Sequence, residues 1–304
     1  MLLLERGGRH SRGFIVVAVL WILAALSALV LIYMSFVTNT AVVVAASSDR
    51  IQVDALATAG IELAAYQLTA VRGETRPSSG TFNARIGAAR VFVTFRSEAA
   101  RIDLNAAPKG LLAGLMVGLG VAPSNAADYA DRIVGWRTAA EGGEDDPETL
   151  SYRTAGIAWA PRHAPFPVAE ELWLVRGIPP AVIERMLPYV TVFSNMASVN
   201  IADAAPQVVA ALPGMTPERL QALMVQRSDP RTDPRALPGL AGGETATLVT
   251  SRAYRISVTV EFDNGRRSLA EAVILLLDEG DEPYRVLSWR NAADGSTAPQ
   301  RSAL

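Results

Sequence analysis

Hydrophobic and polar positions divide this chain into an apolar run, an amphipathic stretch, alternating segments and a helical middle. Thirty-five consecutive residues, Phe14 to Ser48, carry no charge, directly behind a short leader holding Arg6, Arg9, His10 and Arg12. The stretch FIVVAVLWILAALSALVLIYMSF (residues 14–36) is long enough to cross a bilayer, which needs about 20 apolar residues. A secretory signal has a shorter apolar core followed by a small-residue cleavage site, whereas here the run continues into an amphipathic pattern. Leu56, Ala59, Leu63, Tyr66 and Ala70 recur at three- and four-residue steps and define the expected apolar face. Between Phe14 and Val71 there is no proline and only one glycine, Gly60, so a single helix is expected over 14–72, with 14–36 in lipid. The basic flank should stay in the cytoplasm, which puts the bulk of the chain on the other side of one membrane span.

Beyond the helix, Arg72 to Thr81 reads as a Gly-, Pro- and Ser-rich loop. Arg90–Phe95 and Arg101–Leu104 read as strands, and Tyr254–Phe262 alternates cleanly. Asp263-Asn264-Gly265 then supplies a hairpin signal suited to a type I′ turn. The return strand is expected over Ser268 to about Leu277, with Tyr284–Trp289 a further candidate. Strands from 73–104 must therefore meet strands from 246–290, and residues 105–245 form an insert. The tail, 291–304, is expected to be disordered.

The insert carries an internal repeat of glycine, apolar, any residue, proline: Gly120-Val121-Ala122-Pro123, Gly177-Ile178-Pro179-Pro180 and Gly214-Met215-Thr216-Pro217. Glycine suits a helix C-cap, and proline suits a helix's first turn, where its missing N–H costs nothing. Asn105-Ala106-Ala107-Pro108 and Asp203-Ala204-Ala205-Pro206 read as N-caps. The expectation is an all-α insert of helix-hairpin-helix-like units. Such units can hold phosphates on backbone amides, which makes a membrane-anchored DNA-uptake receptor the alternative reading. Here prolines remove amide donors, and Arg176 is the one cation next to a hairpin.

Composition narrows the function. Half of the residues are hydrophobic and the net charge is −2. The leader contributes +2 through Arg6, Arg9 and Arg12 against Glu5, so a chain starting at Phe14 carries −4. That balance speaks against the basic field of a nucleic-acid binder. Without cysteine no disulfide or thiolate zinc site can form. The two histidines, His10 and His163, sit in the leader and in a Pro-rich loop. Glu170 and Glu171 read as a helix start. No catalytic constellation emerges, and an enzyme is not expected.

The junction Arg12-Gly13-Phe14 resembles the processing site of type IV pilins and of the pseudopilins of type II secretion systems. That resemblance implies cleavage after Gly13 by a prepilin peptidase and methylation of Phe14. At the fifth position after the cut, most pilins carry Glu; this chain has Ala18. The K-type minor pseudopilins (the GspK family) characteristically lack that glutamate, and the chain resembles them over most of its length. The matching segments are Ile102-Asp103-Leu104-Asn105-Ala106-Ala107-Pro108, Glu171-Leu172-Trp173-Leu174-Val175-Arg176-Gly177-Ile178, Tyr189-Val190-Thr191-Val192, Val199-Asn200-Ile201-Ala202-Asp203-Ala204-Ala205-Pro206 and Leu212-Pro213-Gly214.

The resemblance implies an α+β fold with a long N-terminal transmembrane and amphipathic helix, a small antiparallel pseudopilin sheet and the helical insert. It also implies inner-membrane anchoring with a cytoplasmic N-terminus and a periplasmic C-terminal domain. The expected partners are minor pseudopilins I and J, with H or the major pseudopilin G, and the expected place is the pseudopilus tip. There the insert would limit growth. Relatives bind calcium near an acidic Asp-Trp-x-Asp-x-Asp run. This chain reads Gly135-Trp136-Arg137-Thr138-Ala139-Ala140 there and keeps Glu141, Glu144, Asp145 and Asp146 as candidate calcium ligands. An unprocessed bitopic envelope protein is the second alternative.

Overall fold

The computed structural model describes residues 11–71, 76–140, 146–229, 231, 233–241 and 243–292. The chain divides into two compact units, Met1–Leu56 and Ala57–Leu304. Helix α1 spans Ser11–Ala70. In the first unit, Phe14–Phe36 is long and apolar enough to cross a membrane, and none of it is buried.

The second unit is built on a five-stranded sheet in the order β1-β2-β7-β8-β9. Its strands are β1 (Ser79–Ile86), β2 (Ala89–Ser97), β7 (Ala253–Phe262), β8 (Arg267–Leu276) and β9 (Tyr284–Ala292), every neighbouring pair antiparallel. β2 alternates strictly, with Val91, Val93 and Phe95 buried and Arg90, Phe92, Thr94 and Arg96 exposed. That period of two marks a strand with one face in the core.

The C-terminal turns of α1 cover this face with Ala57, Gly60, Ile61, Ala64 and Leu68, which corrects the face read from the sequence. Leu63 is 38% exposed and Tyr66 74%. Close approach decides the matter: a Cβ on Gly60 would sit 2.8 Å from Val258 Cγ1. The helix therefore approaches the sheet closely at Gly60 and its alanines, with Ile61 and Leu68 buried beside them, while Leu63 and Tyr66 point away.

Three further expectations change. β1 lies partly in the segment read as a loop; it is an edge strand of small and polar residues with little hydrophobic signal. The β7–β8 turn is not type I′. Gly265 alone has positive φ (+82°), and Phe262 N–H bonds Arg266 O at 2.9 Å, giving a three-residue loop with glycine in the left-handed position. β9 runs to Ala292, two residues into the expected tail; residues 293–304 lie outside the described residues.

Between β2 and β7 come α2 (Lys109–Gly118), α3 (Pro123–Arg137), α4 (Pro147–Thr154), α5 (Pro180–Met186), α6 (Pro206–Ala210), α7 (Pro217–Ser228) and α8 (Leu237–Ala241). The insert also holds two parallel two-residue pairs, β3 (Ile102–Asp103) with β4 (Val190–Thr191) and β5 (Val199–Asn200) with β6 (Ala246–Thr247). Ile102 and Asp103 therefore pair within the insert and not with the main sheet. One continuous apolar core links these elements, from Ile102 through Leu112, Trp136 and Ile183 to Leu212 and Ala241.

Candidate functional site

The junction Gly13-Phe14, read from the sequence as a processing site, lies near the start of α1. Phe14 is 75% exposed, and Trp21, Leu26 and Leu31 behind it are likewise open. The span from Phe14 to Phe36, Ala18 included, holds no charge at all. This favours residence in lipid, where a buried carboxylate is costly.

Each repeated glycine has positive φ: +87° at Gly120, +76° at Gly177 and +73° at Gly214. The proline that follows opens a helix, Pro123 in α3, Pro180 in α5 and Pro217 in α7. Several hairpin amides are already used. Gly120 N–H bonds Val117 O and Val121 N–H bonds Met116 O, both at 2.9 Å, and Met215 N–H bonds Leu212 O at 3.1 Å. Nearby guanidinium groups turn onto hairpin carbonyls: Arg185 to Leu119 O at 2.5 Å, Arg132 to Arg176 O at 2.9 Å and Arg219 to Gly214 O at 3.2 Å. A phosphate cradle needs free amides and outward cations; in these hairpins several amides are used and three neighbouring guanidinium groups are turned inward.

The segments read as N-caps work differently. The caps of α2 and α6 are Pro108 and Ala205, without side-chain bonds. Asn105 instead clamps Phe166, accepting its N–H at 2.7 Å and donating to its carbonyl at 3.0 Å. Asp203 Oδ1 accepts from the Ser79 hydroxyl at 2.6 Å. The polar residues that organise these turns are Asp103 and Asn200, each 1% exposed.

Asp103 Oδ1 accepts Asn105 N–H, and Asn200 Oδ1 accepts Ala202 N–H. Leu104 N–H bonds Thr191 O, and Ile201 N–H bonds Thr247 O. Arg137 donates to Leu104 O and Ala107 O, and Arg227 donates to Ile201 O and Ala204 O. Two units thus repeat one frame, bond for bond. Sequence reasoning noticed the Ala-Pro turns but missed both arginines, whose acceptors lie more than twenty residues away.

Of the four candidate calcium ligands, Glu141, Glu144 and Asp145 lie outside the described residues. Asp146 caps α4, its Oδ2 accepting Thr149 N–H at 3.0 Å and lying 3.4 Å from His163 Nε2. Among the described residues no group of three or more His, Asp or Glu could hold a metal. Calcium takes six to eight oxygens, so Asp146 does not amount to a site by itself. His163 also contacts the Thr149 hydroxyl, again through Nε2, at 2.9 Å, while its Nδ1 is 3.1 Å from Thr138 O. A catalytic triad places hydroxyl and carboxylate on opposite ring nitrogens. Here both share one, which is a loop fastening.

Residues 95–195 match the family model described as Type II secretion system (T2SS), protein K. No curated protein matches the chain in sequence. Among solved structures, a chain in the crystal structure of the GspK-GspI-GspJ complex from the enterotoxigenic Escherichia coli type 2 secretion system shares the fold. The TM-score is 0.58 and the identity 17%, covering 82% of this chain and 98% of that one. The segment 95–195, reaching from the end of β2 into the helical insert, is thus similar to protein K of type II secretion systems, and the chain as a whole shares its fold with a chain of the GspK-GspI-GspJ complex.

Proposed function

We propose that the chain is a structural tip subunit of the pseudopilus, anchored in the inner membrane with a cytoplasmic N-terminus and a periplasmic bulk. Prepilin peptidase would cut after Gly13 and methylate Phe14. Small residues along the span (Ala18, Ala24, Ala25, Ser27 and Ala28) allow close helix approach to sister subunits. Ala18 fits the leading position: with no subunit ahead, a carboxylate there would have no ammonium to pair. Minor pseudopilins I and J are the proposed partners, and the helical insert would block addition above it.

The observation that carries this reading is the fold shared with a chain of the GspK-GspI-GspJ complex. The test is affinity purification of the tagged full chain from membranes that also hold the cognate I and J subunits. Recovery of a ternary complex at equal stoichiometry is expected; recovery of the chain alone would contradict the assignment. Calcium at the 141–146 loop is part of the same proposal, with Asp146 Oδ1 the one described oxygen left over from helix capping. Saturating calcium should then raise Tm over an EDTA control through mass action, and an unchanged Tm removes the metal from the account.

A further inference from the structure

Where the insert meets the sheet face turned away from α1 there is a cavity of about 280 Å³, far beyond the roughly 30 Å³ of one water. Val168, Leu187, Val192 and Phe193 give it apolar lining, and Arg101, Ser288, Arg290 and the pair Arg255–Glu271 give it polar lining. The charged groups differ in how they are satisfied. Arg255 donates to both oxygens of Glu98, at 2.8 and 3.2 Å, and to Glu271 at 2.5 Å. Glu98, 1% exposed, also accepts the Thr191 hydroxyl. Arg290 bonds Glu170.

Arg101 is the exception. Its backbone N–H bonds Glu98 O, but among the described residues its guanidinium has no hydrogen-bond partner. Burial lowers the affinity of this side chain for its proton, and the cation Arg255 adds to the effect. A guanidinium carries five N–H donors, and those of Arg101, which is half-buried and lines the cavity, are free to hold a ligand. Glu98 and Glu271, the nearest carboxylates, are already engaged by Arg255.

We propose that this cavity binds one monocarboxylate with a small branched apolar body. Arg101 holds the carboxylate through paired N–H donors, and the valine and phenylalanine lining takes the body. Glu170 and Glu271 also line the cavity and repel a second negative charge, so a dianion such as phosphate is disfavoured. The carboxylate has two possible sources, a free short-chain acid or the C-terminal carboxylate of a protein ending in a small apolar residue. The site does not depend on the assembly role of the chain.

The test follows arginine Nε–H NMR signals of the full chain in detergent micelles during titration with isovalerate, acetyl-Ala-Val, the amide of each, and inorganic phosphate. A saturable shift of the Arg101 signal by the acids, absent with the amides, is expected. Tighter binding of acetyl-Ala-Val by about tenfold or more assigns a chain end, and the opposite order assigns a free acid. Arg101→Met should abolish saturable shifts at Arg255 and Arg290. Arg101→Lys keeps the charge without the planar fork and should weaken binding by about tenfold, which covers the case of a Met variant that fails to fold. No saturable shift with either acid, equal response to the amides, phosphate binding as tight as isovalerate, or undiminished binding by Arg101→Met would each overturn the proposal.

Discussion

The two framed units of the insert share a backbone scaffold and differ in what they build on it. In the first, Asp103 Oδ2 accepts the Ser194 hydroxyl at 2.9 Å and Asn195 N–H at 2.8 Å. In the second, Asn200 Nδ2 donates to Leu248 O at 3.0 Å and Val249 O at 3.3 Å. Both side chains hold their own turn through the same oxygen. The remaining atom is chosen by the strand that follows, carboxylate for donors and amide for carbonyls. The residue before the bracing arginine differs too. Trp136 is 2% exposed, tilted against Tyr152, stacked on Phe166 and bonded to Glu171, whereas Gln226 is half-buried. The first unit thus carries an extra layer, residues 146–186, which the second lacks. Scaffold and elaboration are therefore separable, and the elaboration lies within the family-matched segment.

The largest expected difference tests that layer. Trp136→Ala should cost about 3–5 kcal/mol, while Gln226→Ala should stay within about 0.5 kcal/mol; urea unfolding followed by far-UV circular dichroism measures both. Equal costs would break the comparison. Next come the exchanges Asp103→Asn and Asn200→Asp. The first sets amide hydrogens against two donors and the second sets a carboxylate against two carbonyls, so each should lose about 2–3 kcal/mol. A neutral exchange in either unit would mean that the clamps are interchangeable.

Arg137→Met and Arg227→Met remove equivalent braces and should cost alike, about 2 kcal/mol each by the same unfolding curves. A smaller effect than at these arginines is expected at Gly214, where a Cβ would meet nothing within 4 Å. Gly214→Ala then costs only its left-handed strain, about 1 kcal/mol. Gly177→Ala should exceed it, because its Cβ would lie 1.6 Å from Arg132 Nη1 and displace a bonded guanidinium. A thermal shift series on the two variants ranks them.

Features set by local chemistry were legible in the sequence. The three glycines are required by positive φ and each is followed by a helix-opening proline. β2 and β7 show in their alternation. Features set by distant partners were not. Tyr66 and Leu63 look like core by size, yet closeness to Val258 selected Gly60 and its small neighbours. The clamp of Asp103 on Asn195 spans 92 positions, and nothing near Asp103 announces it. Arg137 sits where the sequence suggested only lost carboxylates, and its work on Leu104 and Ala107 appears only once the helices are in place.

Intact-protein mass spectrometry after co-expression with a prepilin peptidase tests the minor-pseudopilin account most directly. The account predicts a chain that begins at methylated Phe14. A chain still beginning at Met1, in cells where a control pseudopilin is cut, would contradict it.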